Sequence, residues 1–123
     1  MLKILIVEDE KMLCEFLLQV LDGDGYTILT ADDGNRAVAT YMEHKDEISL
    51  VFSDMGLPGM NGWEAIKIMR AITPSLKVIF ATGYLDPEIK NEITRAGVQQ
   101  FIQKPYRPEE IQKKIRQVLD AKE

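Results

Sequence analysis

The sequence predicts an α/β fold, a (βα)5 doubly wound parallel sheet of five strands in the flavodoxin-like order 2-1-3-4-5. Short apolar runs alternate five times with stretches of helical periodicity. The runs at 4–7, 50–53 and 77–81 are nearly continuous Val, Ile, Leu and Phe, as strands covered on both faces require. The alternation implies right-handed crossovers. It leaves the strand order open, and 2-1-3-4-5 is the common order for a doubly wound sheet of five.

Each element has its own signal. "ILIV" at 4–7 is the first strand. Leu13, Leu17, Val20 and Leu21 then share a helical face, and Gly23 or Gly25 stops the helix. "YTILTA" at 26–31 is the second strand, followed by a weaker helix marked by Ala37, Tyr41 and Met42. "LVFS" at 50–53 leads to a helix with Ile66, Met69 and Ile72 inward, closed by Pro74. "KVIFA" at 77–81 precedes a helix opened by Pro87, whose apolar stripe is only Ile89, Ile93 and Ala96. "QFIQ" at 100–103 is the last strand, and Pro108 opens a helix with Ile111, Ile115, Val118 and Leu119 on one side.

Bulk properties exclude several classes of function. At 123 residues, without repeat, low-complexity tract or linker, the chain reads as one domain over 1–123 with no output domain. Lys plus Arg number 15 against 20 acidic residues and form no basic run, which argues against a direct nucleic-acid partner. The only cysteine, Cys14, cannot form an internal disulfide, which suits a reducing cytoplasm. "ILIV" is too short for a signal segment or a membrane span, so a cytoplasmic location is expected.

In a doubly wound sheet, ligands sit at the carboxyl edge of the strands. Glu8 and Asp9 follow the first strand, Asp54 the third, Thr82 ends the fourth and Lys104 follows the fifth. Any one of these is most simply a cap or a turn residue. Their joint placement at one edge points to a site. Three carboxylates in one cavity repel, so at least one pKa should rise, and a hard dication such as Mg²⁺ relieves the conflict with oxygen ligands. Gly56, Pro58, Gly59 and Gly62 follow Asp54 closely. The expectation is an acid exposed for modification beside a loop whose glycines let the backbone come close.

"LIVEDE", "SDMGLPGMNG", "ATG" and "IQKPY" together resemble the response-regulator receiver domain of two-component signal transduction, from Lys3 to about Asp120. The resemblance implies that Asp54 is the phosphoacceptor, taking a phosphoryl group from the phosphohistidine of a histidine kinase or phosphotransfer protein. It implies Mg²⁺ as cofactor, bound directly by Asp9, Asp54 and the Gly56 carbonyl and through water by Glu8. Thr82 matches the hydroxyl that bonds the phosphoryl group, Lys104 the partner cation, and Phe101 the switch aromatic. The Lys104–Pro105 bond is expected to be cis. Such a domain is a signalling phosphoprotein that assists its own phosphorylation and dephosphorylation, not an enzyme acting on an outside substrate. Its partner surface would be the fourth helix, fifth strand and fifth helix, including Phe101, Arg107 and Lys113, with a downstream protein target and a phosphorylation-dependent dimer both open. The fourth helix is the segment expected to shift.

The same residues also carry departures from the family pattern and rival readings. Gly56 and Tyr84 stand where the family tunes dephosphorylation, one small and one bulky, so they leave the lifetime open. "DGDG" at 22–25 resembles the opening of an EF-hand loop but lacks its later ligands, and reads as a turn. His44 reads as a surface residue, Cys14 as unreactive and Trp63 as packing. A flavin binder needs a Ser/Thr/Gly-rich first loop, which "EDEK" is not. An aspartyl-phosphate phosphatase needs a D-x-D after the first strand, which "VEDE" does not supply. The remaining rival is a receiver-fold scaffold that works without phosphate. The start at Met1 suits a stand-alone protein, while "DMGLPG" resembles receivers at the ends of hybrid kinases.

Overall fold

In the computed structural model, which describes residues 2–121, ten elements alternate along the chain. They are β1 Lys3–Val7, α1 Lys11–Asp22, β2 Thr27–Ala31, α2 Gly34–His44 and β3 Ile48–Asp54, then α3 Gly62–Ile72, β4 Lys77–Thr82, α4 Pro87–Arg95, β5 Phe101–Gln103 and α5 Pro108–Asp120. The five strands are parallel in the order β2-β1-β3-β4-β5, as expected.

Strand periodicity divides the interior into two cores, one on each face of the sheet. Leu5, Val7, Val51, Val78 and Phe80 face α2, α3 and α4, where Tyr41, Trp63, Ile66, Met69 and Ile93 meet them. Ile4, Ile6, Leu50, Phe52, Ile79 and Ile102 face α1 and α5, against Leu17, Leu21, Ile111, Ile115 and Val118.

Helix starts are set by short polar side chains. Asp33 accepts from the Arg36 amide at 2.7 Å, and Asp86 accepts from Glu88 at 2.8 Å. Asn61 and Glu64 form a reciprocal capping box. Pro87 and Pro108 open α4 and α5, where a backbone donor is not needed.

The amino edge of the sheet is closed by cations on backbone carbonyls of loops and helix ends. Arg70 donates to Leu76 at 2.8 Å and to Ala96 at 3.3 Å, ending α4. Lys77 donates to Leu119 at 3.2 Å and to Ala121 at 3.0 Å, ending α5. Positive charge there complements the carbonyl ends of the helices.

Some stripe positions differ from the sequence reading. Met42, Ile72 and Ile89 are exposed, because each lies on the flank of its helix beyond the sheet's reach, and Ala96 is exposed where it caps the end of α4. Only Ile93 is buried on α4. Tyr26 precedes β2 rather than opening it. Among the described residues, no helix is long and apolar enough to cross a membrane.

Candidate functional site

The carboxyl edge is built by extending the ladder one residue past each strand. The Glu8 amide donates to Ala31, Met55 to Ala81 and Lys104 to Thr82, at 3.0, 3.1 and 2.9 Å. These bonds hold the ends of β1, β3 and β5 in register, so Glu8, Asp54 and Lys104 stand side by side. The Lys104–Pro105 peptide is cis, as expected.

Asp54 and Glu8 are buried, at 7% and 4% exposure, while Asp9 is exposed. Asp54 is therefore recessed rather than displayed at the lip, the reverse of the sequence expectation. The reason is its position inside β3, flanked by β1 and β4. Carboxylate oxygens of Glu8, Asp9 and Asp54 lie within 4.8 Å of one another, so the three acids converge as expected. The Lys104 ammonium is 2.9 Å from Asp54 Oδ1 and 3.9 Å from Glu8 Oε1. One cation thus faces several acids.

The electrostatics follow from that imbalance. Glu8 has its pKa pushed up to about 7, first by burial and then by the Asp54 and Asp9 charges. The Glu10 amide, donating to Glu8 Oε2 at 3.1 Å, and Lys104 only partly oppose this. Repulsion was the expected cause of a raised pKa; desolvation is the larger one. For Lys104, burial works against the charge, but the hydrogen bond and charge of Asp54, with Glu8, outweigh it and hold the ammonium above its ordinary pKa.

Thr82 reaches the same edge, but its hydroxyl donates to the Tyr84 carbonyl at 2.8 Å rather than to Asp54. Phe101 is half-buried and stacked on Phe80, with centroids 6.2 Å apart and the Lys90 ammonium 5.5 Å above its ring. A cleft of about 260 Å³ opens between Thr82, Tyr84, Lys90 and Phe101.

The glycines require a correction. A Cβ on Gly56 would meet nothing within 4 Å, so close approach is not what that position demands. At Gly62 it would lie 2.3 Å from the Asp54 carbonyl oxygen, and at Gly34 2.2 Å from that of Met60. Gly62 lets α3 begin hard against the end of β3. Gly59 supplies the left-handed turn between them, at φ +69.

Sequence reasoning missed Tyr106, although it closes the "IQKPY" motif. Its hydroxyl is buried with no hydrogen-bond partner among the described residues, and its ring meets Phe52 edge-on at 6.1 Å. Burial, then the charges of Glu8 and Asp54, push its pKa up. The minor motifs read as expected. Asp24 and Gly25 (φ +80) form a turn, and His44 pairs with Glu47 at 3.1 Å. Cys14 is half-buried, and burial raises its thiol pKa.

With this geometry in hand, the likeness to known proteins is decisive. The model of the response regulator receiver domain matches residues 4–116. The chain belongs to that family. This receiver domain is 34% identical over 116 residues to a cyclic di-GMP phosphodiesterase of Thermotoga maritima, covering 94% of the chain and 30% of that relative. It is 32% identical to the chemotaxis protein CheY of the same organism, covering 94% of the chain and 96% of CheY. The receiver therefore spans less than a third of one relative and nearly all of the other. Among solved structures it resembles CheY in a CheX–CheY–BeF3–Mg complex from Borrelia burgdorferi, with TM-score 0.89 and 25% identity over 98% of this chain and 90% of that one.

Proposed function

We propose that this receiver domain, taken as one unit over residues 1–123, is the phosphoacceptor of a two-component phosphorelay. The observation that carries the reading is Asp54 itself, recessed in the edge, 2.9 Å from Lys104 and within 4.8 Å of two further acids. An Asp54 oxygen attacks the phosphorus of a phosphohistidine on a histidine kinase or phosphotransfer protein. The new P–O bond forms as the P–N bond breaks, and the electron pair stays on the imidazole nitrogen. No general base is needed, because a carboxylate nucleophile has no proton to lose.

The residues fit Mg²⁺, since the cluster offers carboxylate oxygens and no softer ligand. Glu8, Asp9, Asp54 and the Gly56 carbonyl would hold it. When bound, the ion neutralises charge on the phosphoryl oxygens. Lys104 supplies the chain's own share of that neutralisation and stays paired with the product acyl phosphate.

The phosphoryl group is reported through Thr82. To bond it, the hydroxyl must give up the Tyr84 carbonyl, which loosens the start of α4 and lets Phe101 use the adjoining cleft. The α4–β5–α5 surface, with Phe101, Arg107 and Lys113, is then the part read by a downstream protein. The BeF3 and Mg named with the Borrelia CheY complex support a phosphoryl-mimic and metal site of this kind here.

The test is intact mass after incubation with acetyl phosphate and Mg²⁺, run beside Asp54→Ala. One base-labile phosphoryl adduct that needs Mg²⁺ and is absent from the variant is the expected result. An adduct retained by Asp54→Ala, or none in the parent, overturns the assignment and leaves a phosphate-independent scaffold.

A further inference from the structure

α4 is fastened unevenly. Its only buried side chain among the described residues is Ile93. Its C-terminal end is tied to α3 through Arg70, which donates to the Ala96 carbonyl at 3.3 Å and lies against Gly97. Its N-terminal end follows the loop that the Thr82 hydroxyl braces at Tyr84. Between these two ends, beside the Lys90 ammonium over the Phe101 ring, stands a hydrogen-bonded strut, the Trp63 indole Nε1 donating to the Glu92 carboxylate.

The two partners of that strut differ in freedom. Trp63 is 6% exposed, set edge-on against Phe80 at 6.2 Å, with the Lys67 ammonium 5.5 Å over its ring. Glu92 is exposed and sits on the thinly anchored helix. If α4 moves, Trp63 cannot follow, and the indole N–H loses its acceptor inside the protein. A buried donor without a partner is costly, so the bond biases α4 toward the position seen here.

We infer that the Trp63–Glu92 hydrogen bond is a latch that holds α4 in the unphosphorylated arrangement and opens when the site is charged, with the Arg70–Ala96 contact as pivot. The inference rests on the phosphoacceptor reading of Asp54. An interaction made in only one of two states shifts their balance by its own free energy, so weakening the latch must tighten binding of a phosphoryl mimic.

The experiment uses the full chain with Mg²⁺ and beryllofluoride. Fluorine NMR counts bound mimic, and the emission of Trp63, the single tryptophan, reports the latch. Bound mimic should change the emission. Glu92→Ala should bind it about fivefold more tightly, the effect of one ordinary hydrogen bond. Glu92→Gln, which keeps a neutral acceptor, should fall between. Glu88→Ala, removing a carboxylate from the same helix, should bind like the parent. Bound mimic with unchanged emission and unchanged affinity in Glu92→Ala overturns the latch while leaving the phosphoacceptor intact, as does equal tightening by Glu88→Ala. No bound mimic in the parent overturns the phosphoacceptor reading and the latch with it.

Discussion

The two edges of the sheet solve opposite problems with the same kinds of residue. At the amino edge, Arg70 and Lys77 each meet two backbone carbonyls at the ends of loops and helices. At the carboxyl edge, two buried acids share one lysine with a third, exposed acid close by, and a tyrosine hydroxyl is buried without a partner among the described residues. The first edge is satisfied and the second is in conflict. Conflict that persists in a packed site marks where binding, rather than stability, is served.

The contrast breaks most sharply at Gly62. Gly62→Val would drive a side chain into the Asp54 carbonyl, at 2.3 Å for the first carbon alone. Thermal or denaturant unfolding should show a loss of about 1–3 kcal/mol or more, with phosphoryl uptake lost as Asp54 is displaced.

Next in size is an acidic-edge change that should stabilise. Glu8 normally titrates near 4.5 and is pushed up to about 7 in the fold. Between those values the folded chain holds a proton that the unfolded chain has released, so metal-free stability falls as pH rises across that window. The slope is up to about 1.4 kcal/mol per pH unit. Glu8→Gln should flatten the slope in EDTA melts and raise stability at pH 8, on the order of 1–3 kcal/mol, while weakening Mg²⁺ binding. Melts of Glu8→Gln that track the parent at every pH would place the conflict elsewhere.

The amino edge should respond in the opposite sense. Lys77→Ala leaves the Leu119 and Ala121 carbonyls without their donor. A loss of about 1 kcal/mol in urea, with acetyl phosphate uptake unchanged, is the expected outcome. Smallest of all is Gly56→Ser, where open space should keep stability within about 0.5 kcal/mol. Any effect there should appear in dephosphorylation rate rather than in the melt.

Much of this was legible in the sequence, for identifiable reasons. Buried parallel strands must be apolar almost throughout, so the polar residue ending each run stands out. That is how Glu8, Asp54, Thr82 and Lys104 could be placed at one edge before any coordinates. Periodicity says less about flanks. It marked Met42, Ile72 and Ile89 as apolar stripe positions, but whether a neighbouring helix covers a flank depends on packing between elements. Gly62 and Gly56 look alike in the chain, and only the proximity of α3 to the end of β3 separates them. Trp63 and Glu92 are 29 residues apart, and nothing local in either segment announces their bond.

The position of Lys104 has a consequence for the life of the molecule in the cell. The lysine follows β5, a three-residue edge strand that pairs only with β4, while Glu8 lies near the start of the chain. A nascent chain made only as far as β4 therefore presents the acids without the cation that completes them. Losing the stretch from β5 onward would leave Glu8 and Asp54 without the Lys104 ammonium. The acidic edge and its cation are thus drawn from distant parts of the fold, and neither is complete without the other.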